Sequence, residues 1–301
     1  MLSPSMLDRL FDGMRDIFDF NLLEELTFEA NPATFTRRKA SHFVELGITR
    51  ISLGVQSWDP VILETLGREH SPQQARDSFE LLREVGIPEI NIDQMFAIPG
   101  QSLQQWRESL QQTLELQPDH LSSYNLTFEE DTDFFEKLKA GKFHEDPEVD
   151  AAYFELADEM TREAGYLHYE TSNFAKDGKH SQHNQAYWRG YDYLGIGPGA
   201  VSTIRGERWQ NVTDTPKYMH LAKSRGFAPM DIEKIDSEAW KLERLALMLR
   251  TTEGIDPQWI PEQSKAQELI ERGLLTQSGP RLRTTRRGSL LVDGIVEHLI
   301  L

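Results

Sequence analysis

The chain has 301 residues, 39% hydrophobic and 27% charged, enough for one large globular domain or two ordinary ones with a sizeable core. Its net charge of −17 leaves no general basic field to displace counterions from a phosphate backbone, which argues against a nucleic-acid partner. The absence of cysteine excludes disulfides, thiolate catalysis and an iron–sulfur cluster held by thiolates of these residues.

No apolar run approaches the roughly 20 residues needed to span a bilayer. The first residues, MLSPSMLDRLFDGMRDIF, read as an amphipathic helix without the basic and apolar regions of a signal peptide. The expectation is a cytoplasmic protein with no transmembrane segment, in contact with a membrane only at its periphery if at all.

Strand-like segments recur at even spacing. ELTFEA at 25–30 is followed by Asn31-Pro32 and a helix over 34–46 that Gly47 closes. ITRISLGVQ at 48–56 is the second strand, and Asp59-Pro60 opens a short helix. Ser71-Pro72 suits the cap and first position of a helix that ends at Gly86. The third strand runs over 89–98, with Asp93 before the apolar run at 95–98, and Pro99-Gly100 turns the chain. Ser102 then caps a helix with Leu103, Trp106, Leu110 and Leu114 on one face. HLSSYNLTF at 120–128 is the fourth strand. Strand and helix alternating in this way predict parallel βαβ units with right-handed crossovers.

Ligands of such sheets bind at the C-terminal ends of the strands. Those ends carry Glu29 and Asn31, Gln56 and Ser57, Asp93 with the Pro99-Gly100-Gln101 turn, and Asn125 with Thr127. Asp93 alone could be a turn residue. Four polar ends on one rim predict a site for a hydroxyl-bearing ligand.

A charged helix–loop excursion is expected over 130–142, an amphipathic helix over 147–165 and an extended piece over 166–174. HSQHNQAYWRGYDYLGIGPGAVS at 180–202 is rich in histidine, aromatic residues and glycine. Its glycines bring backbone close to a ligand, or form a tight loop between core elements. Beyond 236, two helices (238–249 and 261–272, Pro261 leading the second), two short strands and a last helix read as a winged helix. With nine Lys/Arg against eight Asp/Glu from Trp240 to Leu301, this domain is near neutral, which favours a structural cap over a DNA reader.

With these residues in hand, the chain resembles the oxygen-independent coproporphyrinogen oxidase family of radical SAM proteins, in its heme-chaperone (HemW) branch. The resemblance rests on EANP at 29–32, LGVQS at 53–57, LGREHS at 66–71, NIDQMFAIPGQ at 91–101, and HNQAYW at 183–188 followed by YLGIGPGA at 193–200. It implies an α/β fold: a partial parallel (β/α) barrel of radical SAM type at 1–146, a linking helix with the HNxxYW and GIGPGA region at 147–235, and a winged-helix-like α+β domain at 236–301. It implies S-adenosylmethionine bound by Glu29, Gln56, Arg68, Asp93, Thr127, Ile196 and Gly197. It also implies heme on His183, beside Tyr187 and Trp188, where a core histidine is the alternative. The expected role is a heme chaperone delivering to a heme-accepting protein. The true oxidase of porphyrin biosynthesis, or a cluster-free protein binding heme or S-adenosylmethionine, stands as the alternative.

The chain departs from the family most of all in its cluster motif. The family carries a Cys-x-x-x-Cys-x-x-Cys loop for a [4Fe–4S] cluster, and no residue here matches it. A cluster, and with it enzymatic activity, is expected only if a longer natural protein supplies that loop ahead of Met1. Loss of the family's first two strands also leaves the 25–30 strand as an open edge. The 301-residue chain is therefore expected to aggregate or dimerise through that edge; a well-behaved monomer on size-exclusion chromatography overturns this.

Overall fold

The computed structural model describes residues 2–126 and 147–300. The excursion expected over 130–142, the end of the fourth strand and Thr127 lie outside the described residues.

Helix α1 (Pro4–Arg15) is capped by the Ser3 side chain, has proline in its first turn, and buries Leu7 and Phe11. Strands β1 (Thr27–Ala30), β2 (Arg50–Gln56), β3 (Glu89–Phe96) and β4 (His120–Asn125) then pair in parallel in that order. The connections are α2 (Arg37–Leu46), α3 (Pro60–Thr65), α4 (Pro72–Glu84) and α5 (Leu103–Glu115). Ser71 with Gln74, and Ser102 with Gln105, form capping boxes that start α4 and α5. Gly47, in the left-handed region at φ 89°, ends α2.

Two findings differ from the expectation. Strand β3, with Asp93 as its fifth residue, stops at Phe96 and not at 98, because Ala97 takes a left-handed φ of 57°. The extended piece after α6 (Pro147–Glu163) is a hairpin, β5 (Leu167–Glu170) and β6 (Asn173–Ala175), and β6 runs antiparallel to β4. The sheet order is therefore β1-β2-β3-β4-β6-β5, mixed rather than parallel throughout.

Register decides what each face carries. Glu29, Ser52, Asn91 and His120 stand in one row across four strands, and Asp93, Ser122 and Asn173 in the next. Side chains alternate along a strand, so these rows share one polar face. The opposite face carries Ile51, Leu53, Ile90, Ile92, Leu121 and Phe174, all buried. These pack with Phe43 of α2, Phe79 and Leu82 of α4, Trp106 and Leu110 of α5, and Leu156 of α6. Among the described residues β1 pairs only with β2, at the edge of the sheet.

Residues 1–182 form one compact unit and 183–301 a second. The second begins in α7 (Gln182–Trp188) and holds an antiparallel sheet of β7 (Val201–Ile204), β8 (Glu207–Asn211) and β9 (Pro229–Lys234), with α8 (Thr215–Arg225) between the last two. Then come α9 (Ser237–Met248), α10 (Gln263–Glu271), the hairpin β10 (Leu275–Ser278) and β11 (Arg281–Thr284), α11 (Arg286–Ser289) and α12 (Val292–Ile300). They close over Leu245, Leu249, Ile255, Leu269, Leu282 and Ile295. The helix expected from Pro261 starts at Gln263, capped at Glu262 without a side-chain hydrogen bond. No helix among the described residues is long and apolar enough to cross a membrane.

Ile92 is fully buried at the centre of the apolar face. Ile92→Ala is expected to cost about 2–5 kcal/mol, through lost burial and the cavity left behind, measured as a shift in the urea midpoint.

Candidate functional site

The polar face is organised around Asn91, which is buried. Its amide nitrogen donates to Ser52 Oγ and Asp93 Oδ1, both at 2.7 Å, and to Ser122 Oγ at 2.9 Å. Its amide oxygen meets His120 Nδ1 at 2.7 Å. Since that oxygen only accepts, His120 carries its proton on Nδ1, and its Nε2 accepts from the Tyr169 hydroxyl at 2.7 Å. Tyr169 in turn accepts from the backbone N–H of Ser181 at 3.3 Å. Burial, with Arg50 and His180 nearby, holds the His120 imidazole well below its usual range, so it is neutral.

Asp93 also accepts from Ser52 Oγ at 2.8 Å. Burial pushes its carboxyl up, against the hydrogen bonds of Ser52, Ser122 and Asn91, and the Glu29 charge adds to the rise. Burial and the Asp93 charge raise the Tyr124 phenol to about 12. Asp93, Glu29 and Tyr124 thus form one electrostatic cluster toward the C-terminal ends of the strands.

At the opposite end of the same face, Arg50 opens β2 and is buried. Its Nε donates to Glu25 at 3.0 Å, and a terminal nitrogen donates to Glu89 at 2.5 Å and to the Lys179 carbonyl at 3.0 Å. Glu25 also accepts from the Gln182 N–H at 2.9 Å. This end is an ion cluster that ties down residues 179–182.

Of the residues predicted from the sequence, Glu29 lies on β1, where a cavity of about 220 Å³ is lined by Phe28, Glu29, Asn31, Thr34, Phe35 and Lys39 among others. Gln56 ends β2 in the left-handed region, at φ 67°. A Cβ on Gly54 would stand 3.0 Å from the Gln56 side-chain nitrogen and 3.1 Å from Asn31 Oδ1, so the glycine leaves room for two converging amides. Arg68 follows α3, and its Nε is buried with no hydrogen-bond partner among the described residues. His70 anchors this loop, its Nε2 3.1 Å from the Val55 carbonyl oxygen.

His183, Ile196 and Gly197 belong to the second unit. His183 is exposed in the first turn of α7, its ring edge-on to Tyr187 at 4.9 Å, and Tyr187 lies 4.6 Å from Tyr193. Its exposure differs from the core-histidine alternative. The GIGPG loop is held from within: the Gly197 N–H donates to the Tyr218 hydroxyl at 3.1 Å, and Asn211 Nδ2 donates to the carbonyls of Gly195 at 3.2 Å and Gly197 at 2.9 Å. Ile196 points outward, 64% exposed.

Sequence reasoning missed Ser52, Asn91, His120, Ser122 and Tyr169. The signal was present as polar residues two apart in otherwise apolar strands: Arg50-Ser52, Asn91-Asp93, His120-Ser122-Tyr124.

The Radical SAM superfamily model matches residues 4–113. Over its length the chain is similar to the heme chaperone HemW of Bacillus subtilis, at 33% identity across 96% of this chain and 80% of that protein. It is similar to the heme chaperone HemW of Escherichia coli at 33% identity, covering 99% and 80%. A zebrafish (Danio rerio) mitochondrial radical S-adenosyl methionine domain-containing protein 1 is 30% identical, covering 100% and 73%. The fold matches the coproporphyrinogen III oxidase (HemN) of Escherichia coli with a TM-score of 0.82, across 99% of this chain and 74% of that one, at 21% identity.

A carboxyl raised by folding stabilises the protein most below its unfolded value, and that stability is lost as pH rises through the folded value. Asp93→Asn removes the titration. The variant should match the wild type near about pH 3 and melt higher than it at about pH 7. Thermal melts at the two values check this, and a variant that melts lower at pH 7 than the wild type contradicts it.

Proposed function

This chain belongs to the HemW heme-chaperone family of radical SAM proteins, and from that premise we propose that it binds S-adenosylmethionine at the polar strand ends of its first unit and heme at His183 of its second, for delivery to a heme-accepting protein.

The observation that carries the first part is the set of polar groups toward the C-terminal ends of β1, β2 and β3, where the Gln56 and Asn31 amides converge on Gly54. Arg68 has a buried donor without a partner among the described residues, which suits the methionine carboxylate. Asp93 is a carboxylate whose oxygens retain lone-pair capacity beyond that taken by Ser52, Ser122 and Asn91, and this suits ribose hydroxyls. Gln56 and Glu29 suit the amino group and the adenosyl edges. Burial raises the Asp93 carboxyl, and further donors from a hydroxyl-bearing ligand would offset that desolvation. Thr127, Ile196 and Gly197 are assigned to the adenine by family likeness alone.

For heme, an exposed imidazole on a short helix, with the exposed rings of Tyr187 and Tyr191 following it, suits an iron ligand beside a porphyrin face. Bound heme supplies an open iron coordination position for His183. What the chain itself contributes is the imidazole, aromatic surface and a fixed helix.

An iron–sulfur cluster is a different matter. The chain has no thiolate, and no group of metal ligands stands together among the described residues, so these residues do not fit one and the proposed function rests on binding. A second copy pairing along the open edge of β1 would appear as a dimer on size-exclusion chromatography.

Two titrations test the reading. Arg68→Ala should weaken S-adenosylmethionine binding by about 10- to 100-fold, the worth of one charge-assisted pair, in isothermal calorimetry. His183→Ala should lower hemin affinity and shift the Soret band. An unchanged Soret band removes His183 from the heme site.

A further inference from the structure

Helix α7 is only seven residues long, and a helix of that length does not hold itself together in water. It buries none of its own residues. Yet it carries His183 and Tyr187, which the proposed heme site requires to share one face. The source of its order lies at its C-terminal end.

Beyond the last turn, the N–H groups of Arg189, Gly190 and Tyr191 bond back to the carbonyls of Gln185, Tyr187 and Ala186 at 2.8–2.9 Å. The carbonyls of Arg189 and Gly190 have no helical donor. Both are taken by the guanidinium of Arg244, one by each terminal nitrogen. Arg244 comes from α9, is 9% exposed, and has its guanidinium carbon 4.8 Å from the Trp240 ring. Gly190 adopts φ 57°, and a Cβ there would run into the same guanidinium. Glycine at this position therefore serves two purposes: it permits the turn and it clears the seat of the arginine. A guanidinium at the C-terminus opposes the helix dipole with the favourable sign.

We propose that Arg244 is a positioning residue for His183: seated on Trp240 and closed over the carbonyls of Arg189 and Gly190, it fixes α7 so that His183 and Tyr187 are presented together to heme. This rests on the reading of His183 as a heme ligand. Arg244 touches no heme in this scheme; it acts through the backbone of α7. The fork of a guanidinium reaches two carbonyls at once, and an ammonium reaches one, so lysine should restore only part of the function.

The test uses the full chain as Arg244→Gln, Arg244→Lys, Gly190→Ala and His183→Ala. Amide hydrogen exchange at 189–191 is followed without ligand, and hemin is titrated by its Soret band. Arg244→Gln is expected to speed exchange at these amides and to weaken hemin binding by about tenfold, with a Soret band displaced toward that of His183→Ala. Arg244→Lys should fall between it and the wild type. Gly190→Ala keeps the arginine but takes its seat, and should reproduce Arg244→Gln; it carries the test if that variant does not fold. Unchanged hemin affinity and spectrum in Arg244→Gln and Gly190→Ala overturn the proposal, whether or not exchange responds. If exchange responds but His183→Ala leaves the Soret band unaltered, the clamp stands, and the heme reading falls and takes the positioning role with it.

Discussion

One buried amide holds the polar side of the first unit together. Asn91 offers two hydrogens and one oxygen, and four groups from three strands compete for them. A sheet face carrying Ser52, Asp93, Ser122 and His120 is stable only if each buried polar group finds a partner, and Asn91 is where those demands meet. It also settles the state of its neighbours. Its oxygen fixes the His120 tautomer, and its nitrogen orients the Asp93 carboxylate.

The consequence is a division of labour along the strands. Toward their N-terminal ends, Arg50, Glu25 and Glu89 satisfy one another and the backbone of 179–182, which is a structural use of charge. Replacing one partner there would strand the others in a buried place, the costly case for an ion pair. Toward the C-terminal ends the balance is unfinished. Among the described residues Arg68 has a donor without a partner, Asp93 sits near Glu29 with a raised carboxyl, and Gly54 keeps space open. Groups left short of partners by the fold are those a ligand can satisfy, and the gain expected for Asp93→Asn at neutral pH is the other side of that arrangement.

The second unit solves a similar problem by different means. Its short helix has no core of its own to rest on, and the exposed His183 and Tyr187 need a fixed frame. The Arg244 guanidinium at the helix's C-terminal end supplies the order that length and burial do not. The glycines there divide into two kinds. Gly190 makes way for a guanidinium, whereas those of the GIGPG loop let Asn211 and Tyr218 tie the loop to its own unit.

The sequence by itself determined the alternation of strands and helices, their caps, and the rim on which Glu29, Gln56 and Asp93 fall, because these follow from local pattern and turn chemistry over a few residues. It also carried the motifs by which the family is recognised. It ran the third strand on to residue 98, two past Phe96, and it read the β5–β6 hairpin as a single extended piece, since pairing direction is a property of the partner strand. Only the tertiary structure decided which polar residues meet. Asn91 and His120 are 29 positions apart, His120 and Tyr169 49, Arg189 and Arg244 55. Strand register and helix packing close those distances, and no periodicity within a single element encodes them.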